Sequence, residues 1–243
     1  MSTDALIVSC EHASAGVPRA YRALFASARA QRALESHRGS DIGAVAVARG
    51  FSRVFRSPLF EASATRLLVD TNRSLHHARL YSEFSRHLGP EERVEVLSRY
   101  YHPHRSQVRR AVLAVVKRGR RAVHVSVHSF TPRLAGQVRT ADIGLLYDPA
   151  RAPEAAFAAR WRQRLALAAP SYRVRRNYPY RGAADGLCTW LRSEFSARSY
   201  VGIELEVNQS FFLNHDPAAQ RALITALTRS LPLGANSVAG RRP

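Results

Sequence analysis

Residues 123–130, VHVSVHSF, decide the fold of this chain. The stretch alternates β-branched valines with polar side chains, and this period of two is typical of a β-strand. We predict a strand whose end presents His128 and Ser129 at a sheet edge. Because open α/β sheets bind their ligands beyond the carboxyl ends of central strands, His128 is the first candidate for a functional residue.

The remaining pattern predicts strands and helices in alternation. Further strands are expected at residues 5–10, 66–70, 143–147, 172–177 and 200–207, and helices at residues 21–34, 42–49, 91–100, 105–118, 153–168, 189–195 and 218–231. We therefore predict an α/β fold, a three-layer αβα sandwich with a mostly parallel or mixed central sheet. The length of 243 residues suits one domain over residues 1–233, followed by a disordered tail at residues 234–243.

The chain is strongly basic. Its 37 basic residues, among which Lys117 is the only lysine, face 18 acidic residues and give a formal net charge of +19. Such a charge can indicate nucleic-acid binding. However, the arginines are spread along the chain and we find no nucleic-acid motif. We therefore expect a solvated basic surface, with an anionic substrate or partner as the other interpretation.

The two cysteines and the N-terminal residues give evidence on the cellular compartment of the protein. Cys10 and Cys188 are far apart and form no CxxC pair, so we expect buried free thiols rather than a disulfide. Residues 1–10 have no basic region before a short apolar run, unlike a signal peptide. No apolar stretch reaches the roughly 18 residues of a membrane span. We predict a cytoplasmic protein with no membrane partner and of unknown oligomeric state.

Polar side chains recur at or just beyond the ends of the predicted strands. His12 follows the strand at residues 5–10, Asn72 and Arg73 follow the stretch at residues 66–70, and His128 and Glu204 lie on two later strands. Because parallel strands end at one edge of a sheet, these side chains are expected to meet there. This coincidence is the main evidence for a functional site.

Two of these groups also have ordinary structural interpretations. His12 could be a surface residue in a loop. Arg73 could form a salt bridge with Asp70 while Asn72 caps a turn, although an Asn-Arg pair can also hold a carboxylate with three donors.

The acidic candidates have alternatives as well. Glu204 and Glu206 fall on one face of the predicted strand at residues 200–207, and they could be charges on an exposed sheet edge. Asp41 precedes a predicted helix, where a carboxylate can act as an N-cap or coordinate a metal ion.

Two further histidine pairs attract attention. His76 and His77 are adjacent, and His102 and His104 flank a proline. We expect both pairs to be solvated rather than to bind metal.

Seven short motifs, taken in order, resemble the N-formylglutamate amidohydrolase family. They are SCEHAS at residues 9–14, DIGA at 41–44, VDTNRS at 69–74, SVHSFTP at 126–132, DIGLLY at 142–147, NYPY at 177–180 and GIELE at 202–206. The likeness covers most of the chain, from about residue 6 to residue 209. It implies a phosphorylase/hydrolase-like fold and the hydrolysis of an N-acyl amino acid.

The order of the motifs is also similar, more distantly, to zinc carboxypeptidases and related deacylases. In those enzymes an early His-x-x-Glu supplies two zinc ligands, but here the residue three after His12 is Ala15. The resemblance implies one Zn²⁺ held by His12, His128 and a third ligand. Asp41 is the first candidate for that ligand and Glu11 the second. Neighbours on an extended chain point in opposite directions, so Glu11 and His12 could both bind only if the backbone bends.

The same resemblance implies roles for three further residues. Glu204 would be the general base, and Asn72 and Arg73 would hold a carboxylate of the substrate. Because amide hydrolysis also needs its developing charge stabilised, Arg139 is a second candidate for binding a substrate charge or the tetrahedral oxyanion. The expected substrate is a small acidic N-acyl amino acid.

N-formyl-L-glutamate, hydrolysed to formate and L-glutamate in histidine degradation, is the first candidate substrate. The alternatives are a zinc amidase or carboxypeptidase-like enzyme acting on a peptide or cell-wall fragment, and a basic nucleic-acid-binding protein on a hydrolase fold. A serine hydrolase is not favoured, since the chain has no Gly-x-Ser-x-Gly motif.

Overall fold

A mixed six-stranded sheet forms the centre of the protein, which a computed structural model describes over residues 4–214 and 216–233. From edge to edge its strands are β2 (Leu59–Glu61), β1 (Asp4–Cys10), β3 (Arg121–Phe130), β8 (Tyr200–Asn208), β6 (Ile143–Leu146) and β7 (Val174–Arg176). The first four strands run parallel, β6 is antiparallel to β8, and β7 is parallel to β6. The predicted tail at residues 234–243 lies outside the described residues.

Helices cover both faces of this sheet. The α-helices of the described part of the chain are α1 (Ala28–Glu35), α2 (Ala44–Phe55), α3 (Pro90–Val96), α4 (His102–Lys117), α5 (Ala152–Ala168), α6 (Leu187–Glu194), α7 (Ser210–Leu213) and α8 (Pro217–Ser230). Helices α2, α5 and α8 contribute to the core on one face, and α4 and α6 to the core on the other. The predicted α/β fold with a sheet between helical layers is confirmed.

The alternation within the strands gives the sheet two different faces. Val8, Val125 and Ile203 point to the face under α2, α5 and α8, where all three are fully buried. Burying one such side chain stabilises the fold by roughly 1.5–3 kcal/mol. We call this the apolar face.

The opposite face becomes polar towards the carboxyl ends of the strands, and we call it the polar face. Ser126 and His128 of β3 lie beside Glu204 and Glu206 of β8 in the parallel register. Strand β8 runs between β3 and β6, inside the sheet. The alternative that Glu204 and Glu206 are charged residues on an exposed edge of the sheet is therefore wrong.

The predicted strand at residues 66–70 is also wrong, because this segment is a turn. The Leu68 N–H donates to the Thr65 carbonyl, and the Thr65 hydroxyl accepts from the Leu67 N–H. Leu67, Leu68 and Val69 are buried in a separate core cluster instead of pairing with the sheet. A short apolar run does not by itself distinguish a buried strand from another buried segment.

Two other predicted segments differ in detail. The helix expected at residues 21–34 is a 3₁₀-helix at Arg19–Phe25 followed by α1, because the Ser27 side chain accepts from the Ala30 N–H and starts a new helix. Residues 131–139, where no strand or helix was predicted, contain a small hairpin of β4 (Arg133–Leu134) and β5 (Gln137–Val138).

The structure bears out the prediction for the cysteines and gives the length and polarity of the helices. Cys10 and Cys188 are both buried free thiols, as predicted. Among the described residues, the helices are too short or too polar for any of them to cross a bilayer.

Candidate metal centre and active site

Three buried side chains meet at the carboxyl edge of the sheet. His12 follows β1, Asp41 precedes α2, and His128 lies near the end of β3. His12 Nδ1 is 3.2 Å from Asp41 Oδ2, His128 Nδ1 is 2.9 Å from the same oxygen, and the two Nδ1 atoms are 3.2 Å apart. The structure thus brings together all three residues predicted as metal ligands.

The backbone holds Asp41 in this position. Its N–H donates to the His12 carbonyl at 3.0 Å, and its Oδ2 accepts from the Ser129 N–H at 3.3 Å. The N-cap of α2 is Gly43, whose positive φ of 82° gives the chain a tight turn. The Asp41 carboxylate therefore faces the two histidines instead of capping the helix.

The spacing of these three donors fits a small divalent cation. Zinc bonds to nitrogen and oxygen are about 2.0–2.2 Å long, so two ligands of a tetrahedral ion are about 3.3–3.5 Å apart. The separations of 2.9–3.2 Å between the three donor atoms come close to one face of such a tetrahedron. Two imidazoles and a carboxylate are also a donor set that zinc accepts.

Each imidazole is backed by a buried carboxylate on its far side. His12 Nε2 is 2.8 Å from Asp70 Oδ1, and His128 Nε2 is 3.0 Å from Glu11 Oε2. Such a partner favours the tautomer with the proton on Nε2, which leaves the Nδ1 lone pair free for a metal. Glu11, the second candidate for a ligand, lies behind His128 rather than among the three donors.

Neighbouring charges and hydrogen bonds keep the carboxylates of Asp41, Asp70 and Glu11 ionised. Burial alone would raise the pKa of Asp41 and of Asp70, but the charge of His12 and hydrogen bonds hold both well below the usual range. Burial opposes the charge of Glu11 in the same way, and hydrogen bonds from His104 and His128 lower its pKa. The pKa of His128 is raised by Asp41 and Glu11 against the effect of burial.

A cavity of about 560 Å³ opens onto Asp41 and Asp70. Arg66, which the sequence analysis did not single out, joins their outer oxygens with contacts of 3.3 Å to Asp41 Oδ1 and 3.3 Å to Asp70 Oδ2. Five arginines line the cavity: Arg38, Arg66, Arg73, Arg79 and Arg86. A cavity with this lining favours an anionic ligand.

The residues predicted to bind substrate lie at different depths. Arg73 lines the cavity, donates to the Asp185 carbonyl at 2.9 Å, and has its Nε 3.9 Å from Asp70 Oδ2. The guanidinium of Arg139 lies over the ring of Tyr180, 5.2 Å from its centroid, and donates to the Tyr180 hydroxyl at 3.2 Å. Because Tyr180 lines the cavity, Arg139 lies at its margin.

Asn72 lies behind the site rather than in the cavity. Its Oδ1 accepts from the Leu187 N–H at the start of α6 at 2.7 Å, which orients the amide. Its Nδ2 lies 3.4 Å from His128 Nε2. Asn72 therefore contacts the back of a candidate metal ligand.

Glu204 and Glu206 lie on the polar face, side by side with Ser126 and His128. Neither forms a hydrogen bond or ion pair with another described residue, and Glu206 Oε2 is fully buried. Burial raises the pKa of Glu204, and it raises the pKa of Glu206 to about 8. Glu204 keeps part of its surface accessible, whereas Glu206 is buried. Unsatisfied buried carboxylates are rare in native folds and point to a functional role.

His104 corrects the expectation that both histidine pairs are solvated. It is buried, and its Nε2 lies 3.3 Å from Glu11 Oε1, while His102 is exposed. The sequence signal was its place on α4, a helix that also buries Val108 and Val112 against the sheet. Spacings of four and eight residues put these side chains on one helix face.

Comparisons with known proteins place the chain in a family. The family model described as N-formylglutamate amidohydrolase matches residues 4–213. The crystal structure of a gene product from Agrobacterium tumefaciens is similar at 30% sequence identity, with a TM-score of 0.77, over 93% of this chain and 88% of that one. No curated protein matches.

A second crystal structure, of N-formylglutamate amidohydrolase from Ralstonia eutropha, is 18% identical with a TM-score of 0.72, over 93% of this chain and 90% of that one. At this identity it shows a shared fold. The family model, in contrast, covers most of the sequence. The chain therefore belongs to the N-formylglutamate amidohydrolase family and is an enzyme that acts on an amide bond.

Proposed function

We propose that this protein is a zinc-dependent hydrolase that converts N-formyl-L-glutamate and water to formate and L-glutamate. The observation that carries the proposal is the triangle of His12, Asp41 and His128, with a carboxylate behind each imidazole, at the base of an arginine-lined cavity. We assign the reaction to residues 1–233 as one catalytic domain. Its expected setting is histidine degradation in the cytoplasm.

His12, Asp41 and His128 would hold the metal ion. Zinc in such a site supplies Lewis acidity and lowers the pKa of a water molecule to about 7. Asp70 and Glu11 keep the two imidazoles in the tautomer that presents Nδ1. Arg66 bonds the outer oxygens of Asp41 and Asp70, which leaves Asp41 Oδ2 directed at the two histidines.

Glu204 would act as the general base. It accepts the proton of the attacking water and passes it to the leaving nitrogen. Three features support this role: Glu204 shares the polar face with His128, it is partly accessible, and it has no hydrogen-bond partner among the described residues. Glu206 is the second candidate, since it lies beside His128 in the register.

Arg73 and Arg139 would bind the two carboxylates of the substrate. Arg73 reaches the cavity next to Asp70, and Arg139 lies at the margin beside Tyr180. A guanidinium can bind a carboxylate with two parallel hydrogen bonds. Asn72 is the third residue predicted to bind substrate. Because its side chain lies behind His128, it would contribute to carboxylate binding only indirectly, by helping to position its chain neighbour Arg73.

The size of the cavity favours a second candidate substrate. N-formylglutamate is a small molecule, whereas about 560 Å³ is within the range of pockets that hold ligands of drug size. An acidic peptide or cell-wall fragment would fill more of this space. This is the amidase or carboxypeptidase-like alternative.

The decisive experiment combines metal analysis with a substrate panel. The purified protein is analysed for bound metals, and formate release from N-formyl-L-glutamate is measured with and without a chelator and after adding Zn²⁺. N-formyl-L-aspartate, N-acetyl-L-glutamate and a peptide ending in glutamate are compared in parallel. We expect chelator-sensitive formate release that Zn²⁺ restores, with N-formyl-L-glutamate as the best substrate.

Two outcomes would contradict the proposal in different ways. Full activity in protein shown to be free of metal would exclude the metal-dependent mechanism. Cleavage of the peptide without formate release from N-formyl-L-glutamate would favour the second candidate substrate.

A further inference from the structure

The buried carboxylate of Glu11 connects helix α4 to the candidate metal centre. Its side chain is 0% exposed. Oε1 lies 3.3 Å from His104 Nε2, and Oε2 lies 3.0 Å from His128 Nε2 and accepts from the Ser126 hydroxyl. The three partners occupy both oxygens of Glu11.

Glu11 differs from Asp70, the carboxylate behind the other imidazole. Asp70 forms ion pairs with Arg66 and Arg73 as well as with His12. Among the residues that the structure describes, Glu11 has no ion pair with an arginine or the lysine. A buried carboxylate is stable only when donors satisfy it. The position of Glu11 therefore depends on its imidazole and hydroxyl partners.

His104 is the one of these partners that comes from outside the sheet. It lies in the first turn of α4, directly after the π-helical segment Leu97–Tyr101. The next residue, Arg105, donates to the Thr71 carbonyl at 3.0 Å and ties this turn to the chain beside the site. A π-helical turn carries an extra residue and is frequent at functional sites.

We infer that His104 is a positioning residue for the metal centre. Its Nε2–H donates to Oε1 of Glu11 and thereby holds Oε2 against the Nε2–H of His128. His128 is then kept in the orientation and tautomer that direct its Nδ1 at the metal. This inference rests on the proposed metal centre. Residues that orient a ligand in this way typically change metal affinity by about 10–100-fold when they are replaced.

The test compares two substitutions of His104. His104→Ala removes the donor and leaves Oε1 of Glu11 without its partner. In His104→Gln, the side-chain amide can donate from nearly the same place as Nε2. Zn²⁺ affinity is measured by competition with a coloured chelator, and the ligand geometry by the visible absorption of bound Co²⁺.

We expect His104→Ala to weaken Zn²⁺ binding by about 10–100-fold and to change the Co²⁺ spectrum. His104→Gln should restore most of the affinity and the wild-type spectrum. Thermal unfolding of the metal-free variants checks that each of them is folded.

His124→Gln is the matched control. His124 is also buried on the polar face of β3, but it bonds to Ser9 and Tyr200, and among the described residues it forms no hydrogen bond or ion pair with Glu11. This substitution disturbs the same side of the core and should leave Zn²⁺ affinity and the Co²⁺ spectrum unchanged.

The outcomes separate this inference from the proposed function. If the wild-type protein binds neither Zn²⁺ nor Co²⁺, the metal centre itself is wrong. If the wild type binds Zn²⁺ and folded His104→Ala binds it equally well, the role of His104 is refuted and the metal centre stands. An equal loss in His104→Ala and His124→Gln would also refute it, because the effect would then be one of general core disturbance.

Discussion

The two faces of the central sheet are formed by the same strands but have different roles. On β3, Val125 and Val127 point to the apolar face, while Ser126 and His128 point to the polar face. The apolar side chains are packed among helices and need no partner. Each polar side chain, in contrast, requires a specific neighbour brought from elsewhere in the chain.

The apolar face therefore contributes mainly to the stability of the fold, and the polar face mainly to the chemistry of the candidate site. Losing a valine on the apolar face removes buried surface and leaves a cavity, which lowers the free energy of unfolding. The polar face contains Glu204 and Glu206, which have no hydrogen-bond partner among the described residues. Burying such groups costs stability, so the apolar face must compensate for it. Substitutions on the two faces should therefore affect different measurements.

The largest contrast is expected between two neighbours on β3. His128→Ala should remove bound zinc and lower formate release by at least about 10³-fold, while the fold survives. Val127→Ala should keep zinc and turnover but lower the free energy of unfolding by about 2 kcal/mol. Metal analysis, the formate assay and urea unfolding measure the three effects. A His128→Ala variant that is active and contains a full complement of metal would show that His128 is not a metal ligand.

The next effect distinguishes the two carboxylates of the polar face. Glu204→Gln should retain zinc and lose about 10²–10⁴-fold in kcat, because the amide cannot accept the proton of water. Turnover and zinc content are measured on the same preparation. A near-wild-type rate in this variant, with a large loss in Glu206→Gln, would move the role of base to Glu206.

A third prediction concerns pH and the stability of the metal-free protein. Burial raises the pKa of Glu206 to about 8 in the fold, against about 4.3 in an unfolded chain. Between about pH 4.3 and pH 8 the Glu206 carboxyl is protonated in the native state and ionised in the unfolded state. Its contribution therefore lowers the free energy of unfolding as the pH rises through this range, and the loss levels off above about pH 8.

Glu206→Gln removes this titration. In chelator-treated protein the variant should gain stability relative to wild type between about pH 5 and pH 8, by a few kcal/mol. Thermal unfolding at several pH values measures the difference. Parallel curves for the two proteins would show that Glu206 ionises normally in the fold.

The smallest effect is expected at the mouth of the site. Arg73→Ala should raise KM for N-formyl-L-glutamate by about 10–100-fold with a smaller change in kcat, since hydrogen bonds to charged groups contribute about 1.5–3 kcal/mol. Arg109→Ala, whose side chain pairs with Glu194 on the outer surface, is the control and should leave KM unchanged. Equal KM values for the two variants would remove Arg73 from the substrate site.

The sequence predicted the strands that carry the site better than the segments that complete it. The alternation of β3 and β8 was readable because each strand is long and has one apolar face. Residues 66–70 were mistaken for a strand, although Asp70 stands within one of the family motifs. Its backbone donates to the Leu80 carbonyl in a loop, a partner that no local pattern indicates.

By itself, the sequence predicted the α/β class, the family, and a meeting of His12 and His128 at the edge where parallel strands end. Only the tertiary structure showed that Asp41, and not Glu11, lies beside the Nδ1 atoms of both histidines. The side chains of Glu11 and His12, adjacent in the chain, reach different sides of His128: His12 meets its Nδ1 and Glu11 its Nε2. Asp41 arrives from the start of α2 and fills the position between the two Nδ1 atoms. Such a choice depends on how distant segments pack together, because local spacing fixes the direction of a side chain but not the atom that it will meet.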